Sequence, residues 1–585
     1  MKHTLPQLDA FSEAAQSQIR LIFSSGYDSS YQKDALAIIQ KHPEKVEEIF
    51  GKKLQFGTGG IRGLMGVGPN RLNEYTIEMT TQGLANYIRK KTKQPKPRVL
   101  ICYDNRERSF FFAKLTARVL AGNTIQAYIT QNLRPTPLCS FGCRYYNCIA
   151  AVMITASHNP PEYNGYKVYW KDGAQVVSPH DQGIIKEVNQ IKTPGEVQIA
   201  SIKSSLITWA GLPLDEAYFQ ELDALFRPYY PKTRRKTLSL KIIYSNLHGT
   251  GITLIPKALQ QAGFQSVYYV KEQLATDPTF PGAKSPNPEE VSALEKGVLL
   301  LKKKEADVFF ATDPDADRIG VVAMHQKKPV HFSGNQIACI CLDFLIKNKD
   351  LLPKKAAFIK TIVTTELFRA ICKAHHMPCY DVLTGFKYIA QKIAAWEKSK
   401  EHTFVFGAEE SLGYLFGSFV RDKDSANAAV LIALAAEKAK QQKLSLYSQL
   451  KKIYASYGVY REKLFSLSFP PEKKEQMDDL MQSLRENPKA SFGSFTTTQI
   501  EDYATSTTSN IATDLTTPLF LPKSNVLCYR FKNSSFILRP SGTEPKIKCY
   551  LSSERKTLES SVDQAVDDCD QELQELKCAI EKSLF

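Results

Sequence analysis

The sequence predicts an α/β protein: three similar α/β domains with mixed sheets, then a smaller C-terminal α+β domain. Three observations carry that prediction. Short apolar runs suited to buried strands, such as Val99–Tyr103, Ile149–Ile154 and Val308–Ala311, alternate with helical patterns. The alternation restarts after the polar stretch Lys192–Ser205 and again after Ser333-Gly-Asn335. At 585 residues the chain is too long for one core, and length alone suggests about four domains. The boundaries fall at 1–205, 206–325, 326–455 and 456–585.

In the first domain, residues before 50 read as helices, with Phe11, Ala14, Ile19, Leu21 and Ile22 in one and Ala35–Ile39 in the next. The stretch from Phe56 to Gly66 is dense in glycine and carries one arginine, Arg62. It lacks a lysine in Walker spacing, so it is either a backbone built for close approach to a phosphate or a plain connector. Glu74–Lys90 is an amphipathic helix, Val99–Tyr103 a strand, Phe110–Leu120 a helix and Ile125–Thr130 a strand. A helix following Arg134 then runs to Tyr146. The run Ile149–Ile154 breaks into Thr155-Ala-Ser-His-Asn-Pro160, which leaves Ser157 at the end of a buried strand. Pro160 and Pro161 bar both helix and central strand there. Asn164-Gly165 signals a tight turn, so Tyr166–Trp170 is expected to return as a strand with Lys167 near Ser157.

The second domain offers strands Leu240–Ser245, Ser266–Val270 and Val308–Ala311, the last ending in Thr312-Asp-Pro-Asp-Ala-Asp-Arg318. In the third, Ser333 caps the helix Gln336–Lys347. Strands Ala356–Lys360 and Thr403–Phe406 follow, the second ending in Gly407-Ala-Glu-Glu-Ser-Leu-Gly-Tyr414, and Ala426–Lys440 is a buried helix. In the tail, the Ser/Thr-rich residues 491–518 read as an extended loop. Phe536–Leu538 is a strand ending in Arg539-Pro-Ser-Gly-Thr543. Leu558, Val562, Ala565, Val566, Cys569, Leu573, Leu576 and Ile580 then stripe a closing helix.

Composition narrows the class. With 43% hydrophobic and 23% charged residues the chain is ordinary for a soluble protein. The start lacks the apolar run of a signal peptide, and Ile337–Ile346 is too short for a bilayer and contains Asp343. A cytoplasmic protein without a membrane partner is expected. The 12 cysteines hold no Cys-x-x-Cys pair, which fits reduced thiols. Cys372–Cys379 matches no zinc spacing and reads as a helix-to-strand connection. The net charge of +16 admits anionic partners. The clusters Lys232–Lys236 and Lys302–Lys304 lack interleaved aromatics and read as solvated faces, so no specific nucleic-acid partner is expected.

Three loops carry recognisable chemistry. Asp313, Asp315 and Asp317 alternate straight after a strand, and carboxylates so close repel unless a cation holds them. A calcium EF-hand would need glycine and an acid where Arg318 and Met324 stand, so Mg²⁺ with positions open to a phosphate oxygen fits best. Arg539, Ser541, Gly542 and Thr543 supply a guanidinium, hydroxyls and backbone N–H groups for a phosphate cradle, with Lys546 and Lys548 adding charge. Glu409, Glu410 and Ser411 are acceptors suited to sugar hydroxyls.

Taken together, Thr155–Pro160, Asp313–Arg318, Gly407–Gly413 and Arg539–Thr543 resemble the four signature loops of the α-D-phosphohexomutase family, in the family's order. The form Gly-x-Glu-Glu-x-x-Gly-Tyr at 407–414 is similar to the branch holding bacterial phosphoglucomutases and phosphopentomutase-like enzymes. The resemblance implies an active site in the central cleft, with Ser157 carried as phosphoserine and Mg²⁺ held by Ser157, Asp313, Asp315 and Asp317. It implies that His158, Lys167 and Arg62 assist around the phosphoryl group, with Lys167 and His158 both open as the base. Arg318, Gly385, Lys387, Glu409 and Ser411 would bind the sugar phosphate, and Arg539, Ser541, Gly542, Thr543 and Lys548 its distal phosphate. The implied reaction interconverts α-D-glucose 1-phosphate and glucose 6-phosphate through glucose 1,6-bisphosphate. Mannose and (deoxy)ribose phosphates stay open as substrates, and so do monomer and dimer.

Overall fold

The apolar run after Cys148 becomes a strand buried at every position, and the first sheet is built around it. The strands are β1 (Gly60–Leu64), β2 (Arg98–Tyr103), β3 (Gln126–Thr130), β4 (Ala150–Ile154), β5 (Tyr163–Trp170) and β6 (Ile207–Ala210). Their order is β1–β5–β4–β2–β3–β6. β2 is parallel to β3 and β4, and β3 to β6, whereas β5 runs antiparallel to β1 and β4. Strands covered on both faces need apolar residues on both. Val152 and Ile154 pack with Leu84, Val99, Ile101 and Ile184 on one side, Ala151 and Met153 with Leu100, Cys102 and Cys139 on the other. Fully burying each such Val or Ile contributes roughly 1.5–3 kcal/mol.

The computed structural model of the chain describes residues 7–24, 26–57, 59–230, 238–283, 285–469, 474–541, 546–556 and 561–584. The basic cluster Lys232–Lys236, the cradle residues Gly542 and Thr543, and Leu558 lie outside them. Two units are formed, one by residues 1–322, 390–394 and 413–433, the other by 323–389, 395–412 and 434–585.

In the first unit the helix Glu74–Lys91 opens with a capping box. The Asn73 side chain accepts from Thr76 N, and Thr76 Oγ1 accepts from Asn73 N. Asn164-Gly165 is not the turn expected of it. β5 begins at Tyr163, and both residues lie inside the strand, with Gly165 opposite Arg62 of β1. The pair serves packing instead. A Cβ at Gly165 would meet Thr155 O at 2.4 Å, and the buried Asn164 amide donates to Glu107 O and Ser109 Oγ. A second sheet holds β7 (Ile242–Ser245), β8 (Val267–Tyr269), β9 (Val308–Thr312) and β10 (Ile319–His325), with β7 parallel to β8 and β9.

The second unit contains β11 (Lys328–Phe332), then the helix Gly334–Lys347, whose cap Ser333 accepts from Gln336 N. β12 (Ala356–Thr361) lies parallel to both β13 (Cys379–Val382) and β14 (Thr403–Glu409). β15 (Gly413–Phe416) belongs to the first unit. The C-terminal part is β-rich. It comprises β16 (Val459–Ser468), β17 (Ser491–Phe492), β18 (Phe495–Thr496), β19 (Gln499–Asp502), β20 (Thr507–Asn510), β21 (Leu515–Pro518), β22 (Leu527–Arg530), β23 (Ser534–Pro540) and β24 (Lys546–Arg555). All but β17 and β18 form one sheet in the order β16–β24–β23–β22–β19–β20–β21. The helix Val562–Leu584 packs Leu573, Leu576 and Ile580 against Phe536, Leu538, Ile547 and Leu551.

Residues 491–518 are therefore not an extended loop but five strands. β21 is the edge strand and β20 its neighbour, and neither is buried at any position, so they lack the alternating apolar face by which a strand is recognised. No helix among the described residues is long and apolar enough to cross a membrane.

Candidate active site

β4 and β9 both end in loops that carry chemistry, and in the first unit these loops meet. Ser157 is 2% exposed and has a left-handed backbone, φ 55°. Its Oγ donates to Asp313 Oδ2 at 2.8 Å and lies 3.2 Å from His158 Nδ1. Asp313, Asp315 and Asp317 offer oxygens all within 4.8 Å of one another, and all three residues are buried. Among the described residues they are the one such group able to hold a metal.

Three buried carboxylates need positive charge, and the chain supplies some of it. Lys167 Nζ donates to Asp315 Oδ2 at 2.7 Å and to Asp317 Oδ2 at 3.3 Å. Lys423 Nζ lies 3.2 Å from Asp317 Oδ2, and Thr136 Oγ1 donates to Asp315 Oδ2 at 2.6 Å. Asp315 Oδ1 and Asp317 Oδ1 are buried without a hydrogen-bond partner. Orphaned hard oxygens in a carboxylate cluster are what Mg²⁺ requires, so the residues present fit that ion. Burial first, and then the Asp315 and Asp317 charges, push the Asp313 carboxyl well up. Burial acts the same way on Asp315, but the Lys167 ammonium and the hydrogen bonds from Lys167 and Thr136 act against it, and that carboxyl is held low. Lys167 itself is pulled down by burial and, more strongly, up by its two aspartates, so it stays charged. Burial, and then Arg318 and Arg62, push His158 far down, which leaves a neutral imidazole beside Ser157 Oγ.

The surroundings fix these loops. Thr250 N and Oγ1 both donate to Pro314 O, at 2.7 and 2.8 Å, and a Cβ on Gly249 would meet Pro314 Cα at 2.3 Å. The Asn246–Gly251 loop thus seats the metal loop by close backbone approach. Arg318 N donates to Asp313 Oδ1, and its Nη1 reaches Glu289 Oε1 at 3.1 Å. Arg62, on β1, donates from Nη1 to Asn159 Oδ1 at 2.9 Å.

The second unit holds the other expected residues. Glu409, at the end of β14, accepts from Gly385 N at 2.9 Å through Oε1. Gly385 has φ 121°, a conformation that favours glycine, and starts the helix carrying the buried Lys387. Gly334 meets the loop that includes Ser411 so closely that an added Cβ would lie 2.0 Å from Glu410 O. Arg539 and Lys548 face each other across β23 and β24, and Ser541 N donates to Lys546 O at 2.8 Å. Arg539 Nη1 lies 3.4 Å from Tyr550 Oη, a hydroxyl that also feels the Glu410 and Glu409 charges. The sugar-type loop and the cradle strands are therefore neighbours within this unit.

Sequence reasoning missed Lys423 and Thr136. A signal was present for the first. Arg421-Asp-Lys-Asp424 is a charged quartet leading into an apolar helix, and Arg421, Asp422 and Asp424 are each no more than 4% exposed. Charges so buried need partners close by. Thr136 carries no comparable signal.

Comparisons with known proteins find relatives over most of the chain. The family models for phosphoglucomutase/phosphomannomutase α/β/α domains I, II and III match residues 53–194, 216–326 and 333–457. A phosphoglucomutase of Staphylococcus aureus (strain MSSA476) is 36% identical over 509 residues, covering 86% of this chain and 90% of the relative. One from Staphylococcus haemolyticus is 37% identical over 512 residues, covering 86% and 91%. Among solved structures, the open form of parafusin, a Paramecium phosphoglucomutase, superposes with a TM-score of 0.66 at 16% identity, covering 90% of this chain and 95% of its own. A phosphoglucomutase/phosphomannomutase family protein from Burkholderia thailandensis gives 0.62 at 16% identity, covering 90% and 98%. These two likenesses show the fold, three α/β domains and a further β-rich one. By the matched domains and the staphylococcal relatives together, the chain belongs to the phosphoglucomutase/phosphomannomutase family, the α-D-phosphohexomutases.

Proposed function

We infer that the protein is a Mg²⁺-dependent phosphoglucomutase, interconverting α-D-glucose 1-phosphate and glucose 6-phosphate through a phosphoserine at Ser157 and glucose 1,6-bisphosphate. One observation carries the reading: a buried serine hydroxyl hydrogen-bonded into a triplet of aspartates, two of whose oxygens are buried without a hydrogen-bond partner.

Transfer from phosphoserine breaks the Oγ–P bond and forms a P–O bond to the free sugar hydroxyl, whose proton leaves to a base. Return of the other phosphate to Ser157 requires loss of the Oγ proton. Of the two candidate bases His158 and Lys167, His158 is the one in contact with Oγ, through Nδ1 at 3.2 Å, whereas Lys167 is turned to the aspartates. Asp313, Asp315, Asp317 and a phosphoserine oxygen would hold Mg²⁺, which would supply charge neutralisation for the transferring group. Arg62 and Arg318 add guanidinium donors on the Ser157 side. Glu409, Ser411, Gly385 and Lys387 orient the sugar. Arg539, Ser541, Gly542, Thr543 and Lys548 grip the phosphate that is not reacting. The four domains are assigned to 1–205, 206–325, 326–455 and 456–585, in keeping with the matched ranges. Free thiols at all 12 cysteines support a cytoplasmic setting.

Glucose is preferred because the named staphylococcal relatives are phosphoglucomutases. A coupled assay with Mg²⁺ and glucose 1,6-bisphosphate tests this. Turnover of glucose 1-phosphate should exceed that of mannose, ribose and deoxyribose 1-phosphates. A faster rate with any of those reassigns the substrate, and no turnover with any contradicts the reading.

A further inference from the structure

The Ser157 loop turns its carbonyl groups inward, and four of them converge on one side chain. Arg106 follows β2, the strand beside β4, and is 3% exposed. Its Nη1 donates to Pro160 O at 2.8 Å and Tyr163 O at 2.9 Å. Its Nη2 donates to Ser157 O at 2.6 Å and Asn159 O at 2.5 Å. Nε faces Asp104 Oδ2 at 3.4 Å. The two terminal nitrogens of the fork thus make four hydrogen bonds, all to the loop, while Nε makes only the ion-pair contact with Asp104. Asp104 is itself fixed, since its Oδ1 accepts from Ser109 Oγ at 2.7 Å and from Arg106 N at 3.0 Å. The guanidinium carbon lies over the Phe280 ring, 5.2 Å from its centroid, and Asn105 Nδ2 donates to Asp277 O at 3.0 Å. Phe280 is 1% exposed, which gives the proline-rich loop after Asp277 a purpose: it covers the clamp.

Buried carbonyls must be paired, and a serine holds a left-handed backbone only where its surroundings over-determine it. Arg106 meets both needs without touching Ser157 Oγ or the aspartates. We propose that Arg106 is a positioning residue that gathers the carbonyls of residues 157, 159, 160 and 163 and so holds Ser157 at φ 55°, with Oγ aimed at Asp313. The proposal rests on Ser157 being the phosphoryl carrier. Lysine cannot replace the fork, because an ammonium has three donors for the four carbonyls that Arg106 pairs.

The test uses the full chain with Mg²⁺ and the variants Arg106→Ala and Arg106→Lys. Misplacement of a reacting group by about 1 Å costs on the order of 100-fold in rate, so kcat should fall about 100-fold in the alanine variant, with KM within about threefold of wild type. The lysine variant should lose at least about tenfold in kcat on the same grounds. Added guanidinium ion, at concentrations below those that unfold the protein, should restore part of the alanine variant's kcat, and ammonium ion should not. Amide hydrogen exchange across residues 155–165 should rise in both variants while the rest of the first sheet keeps its protection. If the alanine variant does not fold, the lysine variant decides by kcat and exchange. A folded variant with wild-type kcat, a loss confined to KM, or unchanged exchange across 155–165 overturns the proposal. An inactive wild type whose loop still loses protection in the variants would instead count against the phosphoryl-carrier reading alone.

Discussion

Replacing Lys167 by methionine keeps most of the stem and removes the ammonium that bridges two buried aspartates. At 2.7 and 3.3 Å, and with an effective dielectric of about 20, the gross attractions are about 6 and 5 kcal/mol. Desolvation of the lysine offsets much of that, and breaking one side of a buried pair typically costs about 3–5 kcal/mol. Asp317 keeps Lys423, whereas Asp315 keeps only the Thr136 hydroxyl as a side-chain donor in direct contact. The EDTA-treated Lys167→Met protein should therefore lose about 3–5 kcal/mol in urea unfolding followed by a probe in the first unit. With saturating Mg²⁺ most of that loss should vanish, because the metal takes over the neutralisation. Mg²⁺ affinity, measured calorimetrically, should rise, since the ammonium no longer competes for the same oxygens. A loss below about 1 kcal/mol in EDTA, or an equal loss with and without Mg²⁺, would refute the reasoning.

Thr136→Val removes a hydroxyl donor from a buried carboxylate and should destabilise the metal-free protein by about 1.5–3 kcal/mol in the same unfolding assay. Gly249→Ala should lower Mg²⁺ affinity with little change in secondary structure by circular dichroism, because its Cβ would displace Pro314 inside the metal loop. Asp424 is fully buried, and burial pushes its carboxyl up to about 6, above the usual carboxylate range. A raised acid favours the protonated folded state, so its contribution is present below about pH 4 and lost as pH rises through 6. The loss amounts to about 3 kcal/mol. In Asp424→Asn that pH dependence should disappear from stability curves measured between pH 4 and 7, and an unchanged slope would contradict the assignment.

The strand ends were legible because continuous apolar runs break abruptly into polar loops, as at Ile154 and Thr312. The aspartate triplet was legible because charge so dense has few stable explanations. Asn164-Gly165 misled, because the same dipeptide that favours a tight turn also serves where two backbones approach closely, here Gly165 against Thr155. The outermost strands β20 and β21 were hidden by their exposure, which removes the periodic signal. Lys423, Thr136 and Arg106 were hard to read for a different reason. Each acts on a loop far away in sequence, Thr136 on Asp315 and Lys423 on Asp317, so that only the folded sheet order brings them together. Arg106 had the faintest trace, an Asp-x-Arg at the end of a strand beside the one bearing Ser157.

Intact mass of the purified protein, followed by peptide mapping, tests the central claim most directly. A mass increased by one phosphoryl group, located on Ser157 and discharged when glucose 1-phosphate is added without bisphosphate, is the predicted result. Phosphate on another residue, or a Ser157 that stays unmodified after incubation with glucose 1,6-bisphosphate and Mg²⁺, would contradict it.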